Sequence, residues 1–169
     1  MRLKGVYYKR SWEISPVRNT FFDEEAEEIL VYHYWLYFDE MCIYFSPLET
    51  ALYVCDMPPE DAKRFYLTQD ATIYEAMHTS FCGAKLKCIL DCRDSELAFY
   101  FLFDNDCRIF IERFWGTMLE PIRISYWRLY FETPTANPEG VDWLLPYCKI
   151  VPAQNICDKR NKIGEILTP

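Results

Sequence analysis

Aromatic and aliphatic residues repeat with a period of two along most of this chain. Leu97, Phe99, Phe101 and Phe103 share one phase, and Tyr32, Tyr34, Leu36 and Phe38 share another. Successive side chains of a β-strand point to opposite faces, so this spacing is typical of strands and not of helices. Aromatic residues make up 18% of the chain, and they fit the pleated, half-buried surface of a sheet. The pattern predicts a mainly β fold.

Turn signals separate these segments at short intervals. The predicted strands cover residues 5–14, 31–38, 41–45, 51–55, 72–77, 84–91, 97–103, 107–115 and 122–131. Residues 141–151 are expected to form a last strand or an irregular arm broken by Pro146. Met57-Pro58-Pro59-Glu60-Asp61 is typical of a helix start and predicts one short helix over 58–67, because proline and acidic residues suit the first helical turn. We therefore expect an antiparallel β-barrel or a strongly bent sheet of about 8–10 strands with one short helix.

The chain has 169 residues, which is the usual size of one domain. No linker divides it, and a polar stretch follows Pro152. We expect a single β-rich domain over residues 1–152 and a polar C-terminal tail over residues 153–169.

The formal net charge of −8 restricts the possible partners. The sequence shows no basic stripe, so we expect no binding to nucleic acid and no grip on anionic membranes. An acidic chain favours a basic protein partner. No apolar run reaches the ~20 residues of a membrane span, and the N-terminus lacks the apolar core of a signal peptide. We expect a cytoplasmic protein; a secreted protein whose signal has been removed is the alternative.

Eight cysteines stand against a cytoplasmic location, since an even number suits disulfides. A core of this size does not need disulfides, and several cysteines lie in apolar runs where a free thiol packs as a small hydrophobe. We therefore favour reduced, buried cysteines. His78, Cys82, Cys88 and Cys92 are chemically adequate ligands for zinc, but their spacing matches no standard zinc motif. We expect unrelated thiols there, with zinc as the alternative.

Motifs for catalysis are not recognisable. The chain has two histidines, five glycines and no nucleophile elbow around its serines. His33 is expected to be a core or edge histidine with a satisfied hydrogen bond. Asp104-Asn105-Asp106 resembles the start of a calcium loop but lacks the glycine and the closing glutamate, so a hairpin turn is the simpler interpretation. We predict no enzyme activity and no cofactor; an enzyme of an unfamiliar type is the remaining alternative.

Two sets of residues are candidates for binding. Aromatic side chains on the strands would pack in the core by default, but one face that lined a cavity would bind an apolar or planar ligand. That set is Tyr34, Trp35, Phe99, Phe101, Tyr126 and Trp127. An acidic run would either be a solvated loop or dock a basic surface. That set is Asp23, Glu24, Glu25, Glu27 and Glu28.

The segment Gly5-Val6-Tyr7-Tyr8, followed by Tyr34-Trp35-Leu36-Tyr37-Phe38-Asp39-Glu40 and Ile43-Tyr44-Phe45-Ser46-Pro47, resembles the opening of lipocalin-like (calycin) barrels over about a quarter of the chain. Tyr7 stands where those barrels have tryptophan, and the resemblance implies that a late-strand arginine, Arg128, covers it. It also implies a non-catalytic module that binds a protein partner or a small apolar ligand. The alternative is an acidic inhibitor or immunity-type protein that masks a basic effector surface.

Overall fold

A computed structural model describes residues 1–14, 28–65, 81–92, 97–113, 127–133 and 140–157. Within these ranges the chain forms ten strands, a 3-10 helix over Leu145–Tyr147 and one short α-helix, which confirms the mainly β prediction. The strands are β1 Leu3–Ile14, β2 Glu28–Phe38, β3 Cys42–Ser46, β4 Ala51–Cys55, β5 Lys63–Arg64, β6 Leu86–Asp91, β7 Leu97–Phe103, β8 Arg108–Arg113, β9 Trp127–Glu132 and β10 Lys149–Pro152. The helix is α1, Ala153–Cys157.

The strands form two antiparallel five-stranded sheets. The first has the order β4-β3-β2-β1-β5 and the second has the order β10-β6-β7-β8-β9. Among the described residues, the sheets are joined at one corner. There, Arg2 forms an isolated antiparallel β-bridge with Lys85, and the Leu3 amide donates to the Ala84 carbonyl. No strand ladder closes the described sheets into a ring, so the predicted barrel stays a prediction.

One face of each sheet contributes to the main core. Period-two alternation places Leu36 and Phe38 of β2 on this face together with Phe99, Phe101 and Phe103 of β7. These five side chains are at most 1% exposed. Aromatic rings bury a large apolar area each, and six phenylalanines pack with leucine and isoleucine side chains in this core.

The longest pairing joins β1 and β2. Their register runs from Leu3 opposite Phe38 to Ile14 opposite Glu28, with an irregularity between Leu3 and Gly5. A Cβ at Gly5 would lie 3.3 Å from the Tyr7 ring, which is tighter than ordinary contact, so glycine suits this position. The first sheet therefore carries a ribbon of two strands of 12 and 11 residues.

The helix predicted over residues 58–67 is wrong for the described part of that range. The Ala62 amide donates to the Pro59 carbonyl in a turn, and Lys63–Arg64 then form β5 beside Tyr7 and Tyr8. Phe65 packs against Phe131, with ring centroids 5.3 Å apart. Helix propensity is a weak preference, and these tertiary contacts outweigh it.

The one short helix instead lies in the predicted polar tail. Ile156 of α1 is fully buried in the main core, and α1 directly follows the edge strand β10. Packing against the main core thus continues past residue 152, as far as Ile156.

The segment Asp104-Asn105-Asp106 is a hairpin turn between β7 and β8, as predicted. Asp106 has a φ of 58°, a left-handed conformation that aspartate tolerates. The Asp104 carboxylate accepts the Lys85 amide at 2.9 Å, and the Asn105 side-chain oxygen accepts the Cys107 amide at 3.2 Å. These side chains serve the backbone of the turn.

Candidate functional site

The side of the first sheet that faces away from the main core carries a connected group of polar and aromatic side chains. Alternation places them out of phase with the core residues of the same strands. We call this group the outer cluster: Ser11, Glu13, His33, Trp35, Tyr44 and Tyr53.

His33 is the centre of the hydrogen bonds in the outer cluster. Its Nδ1 lies 2.7 Å from the Tyr44 hydroxyl, and its Nε2 lies 2.9 Å from Ser11 Oγ and 3.2 Å from Glu13 Oε1. Ser11 donates to the same Glu13 oxygen at 2.7 Å. Three strands therefore meet at one imidazole ring.

The donors and acceptors define one consistent arrangement of protons. A carboxylate only accepts, so Ser11 Oγ–H and His33 Nε2–H both point towards Glu13, and Nδ1 accepts from Tyr44. Burial lowers the pKa of His33 below 6.5, although the Glu13 carboxylate acts in the opposite direction. Burial also raises the pKa of Tyr44 above its usual value. The lowered pKa favours the neutral ring at pH 7, and the contact with Glu13 favours the tautomer with its proton on Nε2.

These residues resemble a catalytic triad in composition but differ from it in arrangement. In a triad, the carboxylate binds Nδ1 and leaves Nε2 free to take the serine proton. Here Glu13 accepts the serine proton directly, and Tyr44 occupies Nδ1. In the tautomer that donates to Glu13, Nε2 carries the proton and does not face Ser11 as a base. The arrangement therefore differs from that of a serine activated through Nε2.

Stacked rings extend the outer cluster across the sheet. Trp35 lies 5.0 Å from Tyr44 with an interplanar angle of 20°, and Tyr44 lies 6.1 Å from Tyr53 at 27°. Tyr53 donates a hydrogen bond to the Glu49 carboxylate. Trp35 is 8% exposed, whereas Tyr44 and Tyr53 are partly exposed. Stacked aromatic rings of this kind make a rigid surface with hydroxyl groups at its edge.

The structure separates the aromatic residues that were predicted to bind a ligand. Tyr34, Phe99 and Phe101 are buried in the main core, while Trp35 belongs to the outer cluster on the opposite side of β2. Tyr126 lies outside the described residues, and Trp127 opens β9 opposite Arg113. The described members of this set therefore do not share one surface, and their role in ligand binding stays a prediction.

The acidic run lies at the connection between β1 and β2. Asp23, Glu24, Glu25 and Glu27 fall outside the described residues, and Glu28 begins β2 opposite Ile14. The role of the acidic run in partner binding stays a prediction.

The sulfur chemistry differs in part from the expected set of reduced cysteines. Cys92 forms a disulfide with Cys148, so Cys92 is not free to bind zinc as the alternative required. His78 lies outside the described residues, and the described part of the chain holds no metal-type group of three or more His, Cys, Asp and Glu side chains. The described free cysteines are Cys42, Cys55, Cys82, Cys88 and Cys107.

The outer face of the second sheet is covered in part by the segment Val141–Cys148. Leu144 is 2% exposed and packs with Leu90 and Tyr100 in a second, smaller core, which the disulfide anchors. Beyond it, Tyr100, Phe110 and Tyr130 stack in a row with centroids 5.1 Å and 4.9 Å apart. Burial raises the pKa of Tyr100 to about 12. This aromatic row extends a packed core, unlike the hydrogen-bonded outer cluster.

The arginine that covers Tyr7 is Arg64 of β5. Its guanidinium carbon lies 5.7 Å from the Tyr7 ring centroid, and its Nε donates to the Tyr7 hydroxyl at 3.2 Å. Arg128, to which the lipocalin resemblance gave this role, lies on β9 opposite Glu112. Such an arginine could not be chosen from the sequence, because β5 was predicted as a helix.

Sequence reasoning anticipated a hydrogen-bonded His33 but missed Ser11, Glu13 and Tyr44 as its partners. Lys9, Ser11 and Glu13 share a polar phase of β1, which was the available signal. That signal does not give the register with β2, and the register decides which polar side chain meets which.

Within the described residues, no helix combines the length and the apolar character that crossing a membrane requires. Comparison with protein-family models, with curated proteins and with solved structures finds no match to this chain.

Proposed function

We propose that this chain is a non-catalytic binding module that contacts a protein partner through the outer cluster. The observation that carries this proposal is the position of the hydrogen-bonded, stacked group on the side of the first sheet away from the core. Tyrosine and tryptophan held in fixed orientations are typical of binding hot spots, because little rotamer entropy is lost when they are covered.

The interior gives less support to a small apolar ligand. Phe38, Phe45, Phe99, Phe101 and Phe103 are all at most 1% exposed, and they occupy the space in which a lipocalin-like barrel would hold its ligand. A small apolar ligand inside a closed barrel is the alternative binding partner to test.

The partner that suits this chain is basic. The net charge is −8, and Glu13 and Glu49 both contact members of the outer cluster. Complementary charge speeds the encounter between partners and disfavours wrong ones. We expect this protein and its basic partner to be in the cytoplasm.

Photo-crosslinking can test this surface directly. A crosslinker placed at residue 53 should capture a protein from the native host, and a crosslinker at residue 147 should not. Tyr53→Ala should then weaken binding of the purified partner by about 30-fold, as loss of a hot-spot side chain does. Tyr147→Ala is the matched control, because Tyr147 is 71% exposed and belongs to the segment covering the second sheet. Loss of affinity in Tyr147→Ala with normal affinity in Tyr53→Ala would contradict the proposal.

The second candidate is an acidic inhibitor or immunity-type protein that masks a basic effector. The position of Glu28 supports it, because this described member of the acidic run begins β2 at the paired end of the β1–β2 ribbon. Replacing Glu24, Glu25, Glu27 and Glu28 with Gln should abolish binding under this hypothesis and remove its salt dependence. Unchanged affinity in that variant would contradict the acidic surface and leave the outer cluster as the contact.

A further inference from the structure

Two free cysteines face each other across the neighbouring strands β3 and β4. Cys42 pairs directly with Cys55 in the antiparallel register. Directly opposed residues in antiparallel strands have Cα atoms about 4.5–5.5 Å apart, which lies within the range that a disulfide spans. The sulfurs are close enough for the Cys42 thiol to donate a hydrogen bond to Cys55. A covalent bond between them therefore needs little movement of the backbone.

The two thiols differ in environment. Cys42 is fully buried, and Cys55 is partly exposed at the edge of the first sheet. The hydrogen bond from Cys42 lowers the pKa of Cys55, although burial of Cys55 acts in the opposite direction. By contrast, burial is the main influence on Cys82, Cys88 and Cys107, and it raises the pKa of each. Cys55 is thus the described free cysteine that combines access with a stabilised thiolate.

We propose that Cys55 and Cys42 form a dithiol site that exchanges with small disulfides such as oxidised glutathione. The Cys55 thiolate attacks one glutathione sulfur, the glutathione S–S bond breaks, and one glutathione thiolate leaves. The Cys42 sulfur then attacks Cys55 in the mixed disulfide, its proton passes to the departing sulfur, and the second glutathione leaves as a thiol. The protein loses two protons and two electrons, which convert one glutathione disulfide into two glutathione thiols.

The new bond would connect the two strands that carry the tyrosines of the outer cluster. Cys42 lies two residues before Tyr44 on β3, and Cys55 lies two residues after Tyr53 on β4. β4 is an edge strand, paired only with β3 among the described residues. A disulfide here would stabilise the pairing of β4 with β3, because a cross-link restricts the conformations of the unfolded chain. The thiol chemistry does not depend on the proposed function.

Peptide mapping of the full-length protein tests the proposal. Reduced protein is incubated with oxidised glutathione, the remaining thiols are alkylated, and the digest is analysed by mass spectrometry. We expect a linked peptide pair containing Cys42 and Cys55, and its disappearance when reduced glutathione is restored. Alkylation of both residues after oxidation would overturn the proposal, as would linkage of either one to a different cysteine.

Three variants separate the roles of the two sulfurs. Cys42→Ser removes the resolving thiol, so Cys55 should retain one glutathionyl group. Cys55→Ser should leave Cys42 unmodified, because Cys42 is buried. Cys88→Ser is the matched control, since Cys88 lies opposite Leu102 and Pro152 and should not affect the link. If Cys42→Ser fails to fold, the Cys55→Ser result and the wild-type map still decide: glutathionylation of Cys42 in Cys55→Ser would overturn the assignment of Cys55 as the attacking thiol.

Discussion

Burial and two charged side chains of β1 act on the charge of His33. Burial and Lys9 favour the neutral ring, whereas Glu13 favours the charged one, and the pKa is lowered overall. As the pH falls below about 6.5, the unfolded chain takes up a proton at this residue before the native chain does. The stabilisation that His33 provides is therefore present above its unfolded pKa and is lost as the pH falls towards the lower native pKa.

We expect acidification to destabilise the wild type more than His33→Gln. Free energies of unfolding measured in urea from about pH 8 to pH 5.5 would show the stability advantage of the wild type shrinking as the pH falls. The two proteins differ only at residue 33, so the difference between their pH dependences reports this position. An advantage that stays constant or grows at low pH would contradict the assigned direction of the pKa shift.

Arg108 and Glu132 form a buried ion pair on neighbouring strands. Arg108 Nε donates to the Glu132 carboxylate, and their side chains are 7% and 25% exposed. Arg108 Nη2 is buried, and it has no hydrogen-bond partner within the part of the chain that the structure describes. Glu132 is thus the main compensation for the buried charge.

Glu132→Gln should lower the free energy of unfolding by about 3 kcal/mol, because it leaves a buried guanidinium without its counter-charge. Replacing both residues, Arg108→Met with Glu132→Leu, should leave stability within about 1 kcal/mol of the wild type or raise it. Urea unfolding of the three proteins measures both effects. Equal losses in the single and the double variant would show that the charges are not the source of the effect.

Helix α1 is the described element whose contribution to stability is hardest to predict from the sequence. The stretch after Pro152 is polar in composition, yet Ile156 is completely buried. Ile156→Ala should cost about 3 kcal/mol of stability, and a chain that ends at Pro152 should lose at least as much. Gln154→Ala is the control, since Gln154 is exposed on the same helix. Wild-type stability of the shortened chain, measured by thermal unfolding, would instead place the end of the domain at residue 152.

Strand positions and strand partners differ in how far the sequence determines them. The first and last residues of β4 and β7 match the prediction, because the period of two in their apolar residues reports burial directly. β5 was missed, because two residues carry no period and its strand conformation depends on pairing with Tyr7 and Tyr8. The Cys92–Cys148 disulfide could not be chosen either, since the two residues are 56 positions apart and eight cysteines allow many pairings.

For the whole molecule, the sequence predicts an abundance of aromatic residues on the strands but not which side of a sheet each one occupies relative to the core. Tyr34 and Trp35 are neighbours in the chain, yet one packs in the core and the other belongs to the outer cluster. Only the assembly of both sheets decides which phase is inside. The choice between an internal ligand and an external partner therefore requires a test of the interior.

Phe101 offers that test, because it is fully buried between the sheets. Phe101→Ala should lower the free energy of unfolding by about 4 kcal/mol and open a cavity of aromatic size. Benzene should then raise the Tm of the variant, since it binds an apolar cavity, and should leave the Tm of the wild type unchanged. Binding of the partner to the folded variant should be normal, because the outer cluster lies on the other side of the sheet. If benzene raises the Tm of the wild type as well, the native interior already has room for an apolar ligand, and the lipocalin-like function would replace the outer cluster as the better proposal.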